Sequence, residues 1–261
     1  MANARRKIDF LQAKKKVIPP TEAIQQGSTW FVEIFPGAGT LTARVREKGF
    51  EALDVKDAAQ GGADLCQPGA VQSLKDLLRK KRKTFRWLSV TTAPPCHSLS
   101  RARDQSRATS IRSPTEPYGR QDAQPEFADE IETGNTLAIV ALDLGKRAHQ
   151  ELEADVSIEN PGPSYLWLFD EATVLKTLGW TDKVVDVCMH GAEYRKHTLV
   201  RCPAITATCK WPPEVQRFAC GHTGDAAARP HLVLCKSMPT DLCAEHADCF
   251  MEVWARESIR T

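Results

Sequence analysis

The stretch WFVEIFPGAGTLTARVREKGFEALDV, Trp30 to Val55, decides the fold. It opens on a short apolar run, WFVEIF, and breaks at PGAGT. It then continues as LTARVREKGF, with apolar residues at helical spacing, and ends in a second strand-like run, EALDV. Strand, glycine turn, helix and strand in that order make a βαβ unit, and a chain that repeats the alternation builds a mostly parallel sheet with helices on both faces. The repetition is there. After a weaker strand-like break at GADL come a helical GAVQSLKDLLRKKRK, a buried strand FRWLSVTTA and a long amphipathic helix TGNTLAIVALDLGKRAHQELE. ADVSIENPGPS follows as strand and loop, EATVLKTLG as a helix, and DKVVDVCMHG and RKHTLVRC as strands around a polar turn. The fold class read from this pattern is α/β, a Rossmann-like doubly wound sheet. The alternation stops after about residue 201, where Cys, His and Pro take over.

In an open α/β sheet ligands sit at the carboxyl ends of the strands. FPGAGT, LDVKD, TAPPCHS, ENPGPS and HGAEYRKH each fall at such a strand-to-loop junction, so they are expected to converge on one cleft. Gly37 and Gly39 let the backbone turn sharply and come close to a ligand, with Phe35 at the start of the turn. Thr42 stands where a dinucleotide fingerprint has its third glycine, which disfavours a pyrophosphate. An acid at the end of the next strand, Asp54 or alternatively Asp57, suits ribose hydroxyls, and Asp64 suits an adenine amino group. A nucleoside cofactor without a diphosphate fits this set, and S-adenosylmethionine is one.

Cys96 lies behind Pro94 and Pro95, with Arg101 and Arg103 close after it. A thiol attacks as thiolate, which nearby positive charge favours, and the prolines stiffen the loop. Alone, Cys96 reads equally as a structural or a nucleophilic thiol. Glu159 in SIENPGPS leaves a buried strand beside the same cleft, and a glutamic acid there can protonate a heterocycle nitrogen and make a pyrimidine ring electrophilic. Cysteine attack, glutamate activation and a methyl-sulfonium donor together complete one mechanism.

Four stretches, in this order, resemble the DNA cytosine-5 methyltransferases: FVEIFPGAGTL, APPCHSLS, IENP and HGAEYRKHTLV. They match that family's cofactor loop, its Pro-Cys nucleophile loop, its Glu-Asn-Val element and its Gln-x-Arg-x-Arg element, over about two thirds of the chain, Phe31 to Val200. The resemblance implies that Cys96 adds to carbon 6 of a flipped cytosine, Glu159 engages the ring nitrogen and amino group, and Arg195 orients the base. It further implies that Phe35, Gly37, Gly39, Asp54, Asp64 and Pro94 line the cofactor, and that Arg101, Arg103, Arg107 and His197 meet nucleic acid. Pro161 replaces the family's valine, and Glu193 and His197 replace its glutamine and second arginine. TGNTLA resembles the family's late Gly-Asn-Ser element but precedes IENP, and is read as a helix start.

The formal net charge is only +2, so binding of a nucleic acid would depend on clustered Arg and Lys. RKKRK, Arg79 to Lys83, reads as a solvated helix face. DNA is the expected partner. RNA methylation and a catalytically inactive nucleic-acid-binding relative are the alternatives, because arginine contacts to phosphate serve DNA and RNA alike. An odd count of nine cysteines with no apolar opening segment points to reduced thiols and an intracellular location. No apolar run approaches the ~20 residues that cross a bilayer, so no membrane partner is expected. The division read from the sequence is a basic arm over 1–29, a catalytic domain over 30–200 and a Cys/His-rich segment over 201–261. In that last segment Cys209, Cys220, Cys243 and His246 form a candidate zinc set, with buried or unpaired thiols as the alternative.

Overall fold

The computed structural model describes residues 29–186 and 197–204, apart from Lys48, Asp57 and Arg107. Apolar runs become strands β1 (Thr29–Ile34), β2 (Glu51–Val55), β3 (Trp87–Thr92), β4 (Asp155–Pro161), β5 (Trp180–Asp186) and β6 (His197–Pro203). Amphipathic runs between them become helices α1 (Thr40–Glu47), α2 (Pro68–Thr84), α3 (Ala128–Leu152) and α4 (Asp170–Thr177). Pro68 opens α2, where the missing N–H costs nothing. GADL forms no strand of its own.

The sheet order is β2-β1-β3-β4-β6-β5. β1 pairs in parallel with both β2 and β3, and β3 with β4, whereas β6 runs antiparallel between β4 and β5. This is a doubly wound, Rossmann-like α/β sheet. The chain leaves β1 toward one side and returns to place β3 on the other, so the switch point, where a crevice opens, lies between β1 and β3. The main core fills one face: Val32, Ile34, Leu88, Val90, Val156 and Ile158 of the sheet pack on Leu74 and Leu78 of α2 and Ala138, Ala141 and Leu142 of α3. A smaller cluster of Phe31, Leu41 and Val45 seats α1 on the opposite face. Gly145 of α3 faces Ile158 and Val156 at 3.1–3.4 Å from where a Cβ would stand, so the helix rides close on β4.

In the basic run on α2, Lys80 and Lys83 are exposed and the other three residues are engaged with neighbours. Arg79 pairs with Asp76 and Glu151, Lys81 lies over the rings of Trp30 and Phe85, and Arg82 donates to the Leu152 carbonyl. Among the described residues no helix is long and apolar enough to cross a membrane.

The antiparallel insertion of β6 brings a charge into the core. Arg201 is 1% exposed and gives Nε and Nη2 to the two oxygens of Asp182 on β5 and Nη1 to the Ala172 carbonyl of α4, with Trp167 under its guanidinium. Burial pushes the Asp182 carboxyl up, but the hydrogen bonds from Arg201 and Lys176 hold it below its ordinary value of 3.8. A depressed folded value contributes stability that is present above the ordinary value and is lost as pH falls through the folded one. Asp182→Asn leaves the buried guanidinium without its charge partner. It is expected to cost about 3 kcal/mol in urea unfolding at neutral pH, and to flatten the loss of stability that the parent chain shows below about pH 4.

Candidate functional site

The turn after β1 is bent by three residues with positive φ: Phe35 (61°), Gly37 (56°) and Gly39 (71°). A left-handed phenylalanine is uncommon. It is held because its side chain is buried and its N–H donates to the Val55 carbonyl of β2 at 3.1 Å. Beside Gly39 the space is open, and a Cβ built there would meet no atom within 4 Å. The turn feeds α1, whose start is anchored by Glu33. One Glu33 oxygen accepts from the Thr42 amide at 2.9 Å and from the Thr42 hydroxyl at 2.5 Å. Burial raises the Glu33 carboxyl above its ordinary range, against the Thr42 bonds. Thr42 therefore has a role of its own where a fingerprint glycine is missing.

Of the two acids expected to face a ribose and an adenine, Asp54 lies beside Glu33 in the register of β2 and β1 and accepts from Arg46 at 3.0 Å. That hydrogen bond holds the Asp54 carboxyl below its ordinary value. Asp64 accepts from the Cys66 amide and the Gln67 side chain, fixing the turn that enters α2. Both acids have a partner within the chain. Asp57 lies outside the described residues.

The nucleophile candidate sits across the switch point. Ala93 donates to the Ile34 carbonyl, so β3 runs on beside the end of β1 and delivers Pro94, Pro95 and Cys96 next to the glycine turn. Cys96 is half-buried. On β4, which pairs with β3 as far as Thr92 and Ile158, the next residue is Glu159, 7% exposed. Asn160 follows, fully buried, and its Nδ2 donates to the Pro94 carbonyl at 2.9 Å, tying the two elements together. The Asn160 Oδ1 is buried and has no hydrogen-bond partner among the described residues. Open space at Gly39 fits a ligand laid against the glycine turn at the end of β1.

Beyond β4, Gly162 donates to the carbonyl of His197, which starts β6, and His197 crowds the space a Gly162 Cβ would need, at 2.3 Å. β5 ends and β6 begins at this same edge, through the Asp186 and His197 pair. His197 is thus at the sheet edge where β4 ends, while Arg195 and Glu193 lie outside the described residues. Arg107 and the candidate zinc ligands Cys209, Cys220, Cys243 and His246 also lie outside them.

The arginines after Cys96 differ from one another. Arg101 is exposed and stacks over the Tyr165 ring at 5.2 Å. Arg103 pairs with Glu130, which His97 also approaches at 3.2 Å, and lies over Phe127. Its guanidinium is held inside the protein, so of the two, Arg101 is the one placed to reach out.

Sequence reasoning missed Arg112. It is 1% exposed, and its five N–H groups reach the Ser98 carbonyl (2.7 Å), the Pro117 carbonyl (2.7 Å), the Asn135 Oδ1 (2.6 Å), the Ile131 carbonyl (3.2 Å) and the Ser98 hydroxyl (3.5 Å). Asn135 passes the linkage on to the Tyr118 carbonyl, and the Tyr118 hydroxyl bonds Glu171 and the Asp170 amide of α4. Gly134 is where a side chain would strike Ser98, at 2.1 Å from its hydroxyl. TGN within α3 is accounted for by this packing. The only signal in the sequence was an arginine after an isolated apolar residue, Ile111, in an otherwise polar loop.

Solved structures similar to this chain include two methyltransferases. A methyltransferase of Entamoeba histolytica, EhMeth, aligns over 68% of this chain and 53% of its own at 13% identity and a TM-score of 0.36. The S. pombe Dnmt2 methyltransferase aligns over 66% and 48% at 11% identity and a TM-score of 0.35. The chain spans about half the length of either. The fold assignment rests on the strand order, not on these similarities. No family model and no curated protein matches the chain.

The Asn160 bond to Pro94 links the glutamate strand to the cysteine loop. Asn160→Ala strands a buried carbonyl and is expected to lower stability by about 1–3 kcal/mol in chemical denaturation.

Proposed function

We propose that this chain is an S-adenosylmethionine-dependent methyltransferase that forms 5-methylcytosine in DNA through a covalent bond to Cys96. The observation that carries the reading is the linked set of Cys96, Pro94, Asn160 and Glu159 at adjacent strand ends, beside an open glycine turn. The cofactor would lie against Phe35, Gly37 and Gly39, with Pro94 at its flank and Asp54 or Asp64 toward its nucleoside. When bound, it supplies an electrophilic methyl group.

In this reading the Cys96 thiolate adds to carbon 6 of a cytosine flipped out of its stack. Glu159 holds a proton at the ring nitrogen, so the electron pair moves onto carbon 5 and makes that carbon nucleophilic. Carbon 5 would then take the sulfonium's methyl group, the sulfur keeping the bonding pair as a thioether, and loss of the carbon 5 proton to a base would expel Cys96 as thiolate while the ring nitrogen returns its proton to Glu159. Arg195 is assigned to the base, and Arg101, Arg107 and His197 to the phosphates near it. Arg103 is a positioning group instead, because its charge is spent on Glu130. The zinc assignment for Cys209, Cys220, Cys243 and His246 stays a proposal, tested by metal analysis of the purified chain.

Incubation with labelled S-adenosylmethionine and an oligonucleotide containing 5-fluorocytosine tests the mechanism, because fluorine cannot leave carbon 5 and the adduct accumulates. A denaturation-resistant adduct is expected with DNA, absent in Cys96→Ser and slowed about 100-fold or more in Glu159→Gln. An adduct with RNA alone would move the substrate to RNA. No adduct with either polymer, in a chain that still binds cofactor or nucleic acid, would leave a binding protein.

A further inference from the structure

We propose that Arg112 is the positioning residue for Cys96: it fixes the loop that carries the thiol by holding the Ser98 carbonyl from within the core. For its catalytic consequence the proposal rests on the function proposed above. The loop is pinned at two carbonyls, each two residues from Cys96. Asn160 holds that of Pro94 and Arg112 that of Ser98, at 2.9 and 2.7 Å. Just past Ser98 the Leu99 amide donates back to the Cys96 carbonyl at 3.0 Å, closing a turn that begins at Cys96.

A guanidinium here costs desolvation, and it meets the Ser98, Pro117, Ile131 and Asn135 oxygens that would otherwise lack this donor. All five of its acceptors are neutral, so the buried cation makes no hydrogen bond to a carboxylate, and burial lowers its pKa to about 10. An apolar side chain of similar volume would avoid that desolvation. Only the planar fork of an arginine can hold the loop at Ser98, the loop at Pro117 and α3 at Ile131 and Asn135 in one fixed geometry. Lysine has the charge but not the fork. The segment is also tied farther on, at the Leu99 carbonyl, which accepts from the Tyr165 amide at 2.8 Å and the Ser164 hydroxyl at 3.4 Å, whereas His97 is mostly exposed and its partner Glu130 is shared with Arg103.

Arg112→Lys and Asn135→Ala test this, the second keeping the arginine while removing one acceptor, in case the first does not fold. In the full-length chain, trapping on 5-fluorocytosine DNA at saturation is expected to slow by roughly 10- to 100-fold, with DNA affinity within about twofold of the parent. Hydrogen exchange at the Leu99 amide is expected to quicken while exchange at Leu142 and Val156 in the core stays unchanged. A merely structural arginine predicts faster exchange at all three sites and adduct formation that falls in step with thermal stability, and that result overturns the proposal. If the parent chain forms no adduct, the function proposed above fails. The positioning claim is then decided by Leu99 exchange and by the rate of Cys96 alkylation with iodoacetamide, read by peptide mass spectrometry. Changed values in both variants support it, and unchanged values overturn it.

Discussion

Between the end of β3 and the start of α3 the described residues form no strand and no α-helix, only short 3-10 turns, so their shape depends on turn hydrogen bonds and on side chains. One buried guanidinium supplies most of that shape. Removing any of its acceptors would leave an unmet N–H in a place water does not reach, which costs about 1–3 kcal/mol each. The five bonds of Arg112 therefore stand or fall together. Through them Ser98, Pro117, Ile131 and Asn135 are placed relative to each other, and through Asn135 and Tyr118 the start of α4 is placed as well. Tyr118 adds its ring, 4.2 Å from that of Phe169 between centroids. Gly134 is the condition for all of this, since any side chain there would occupy the position of the Ser98 hydroxyl.

The strands and helices were legible because apolar spacing reports them directly. WFVEIF, EALDV and FRWLSVTTA each became a strand, and α3 begins five residues before TGNTLA because Asp129 and Glu130 suit a helix start. The order of the last two strands was not legible. Nothing in RKHTLVRC says that it slides between its predecessor and β4, and the pairing of Arg201 with Asp182 that accompanies this arrangement links two residues of ordinary surface type. β6 runs through Pro203, one residue past the end of RKHTLVRC.

In the candidate site, the residues named for their chemistry were readable, and the residues that hold them were not. Cys96, Glu159 and the glycine turn stand out by type and context. Arg112, Asn135 and Glu33 are common residue types whose roles arise only from contacts far apart in the chain. Arg103 is the reverse case: a basic residue in a basic run that the fold turns inward onto Glu130.

Strand alternation explains how IENP does two jobs with consecutive residues. Ile158 packs on Gly145 of α3, so Asn160, two residues on, belongs to the same core face, and Ser157 and Glu159 belong to the other. That other face is polar along one row of the sheet: Asp54, Glu33, Thr91 and Ser157 are successive cross-strand neighbours, and the Thr91 and Ser157 hydroxyls bond at 2.9 Å. Glu159 continues this polar face to the sheet edge, where a carboxyl can meet a ligand without being surrounded by hydrocarbon. Asn160 reaches Pro94 from the core side, where the bond is shielded from water and geometrically fixed. A one-residue slip of β4 would exchange the two, burying the acid in the apolar core and releasing the loop. The register of β4 against β3 is thus the constraint through which a carboxyl and a thiol loop come to share one edge.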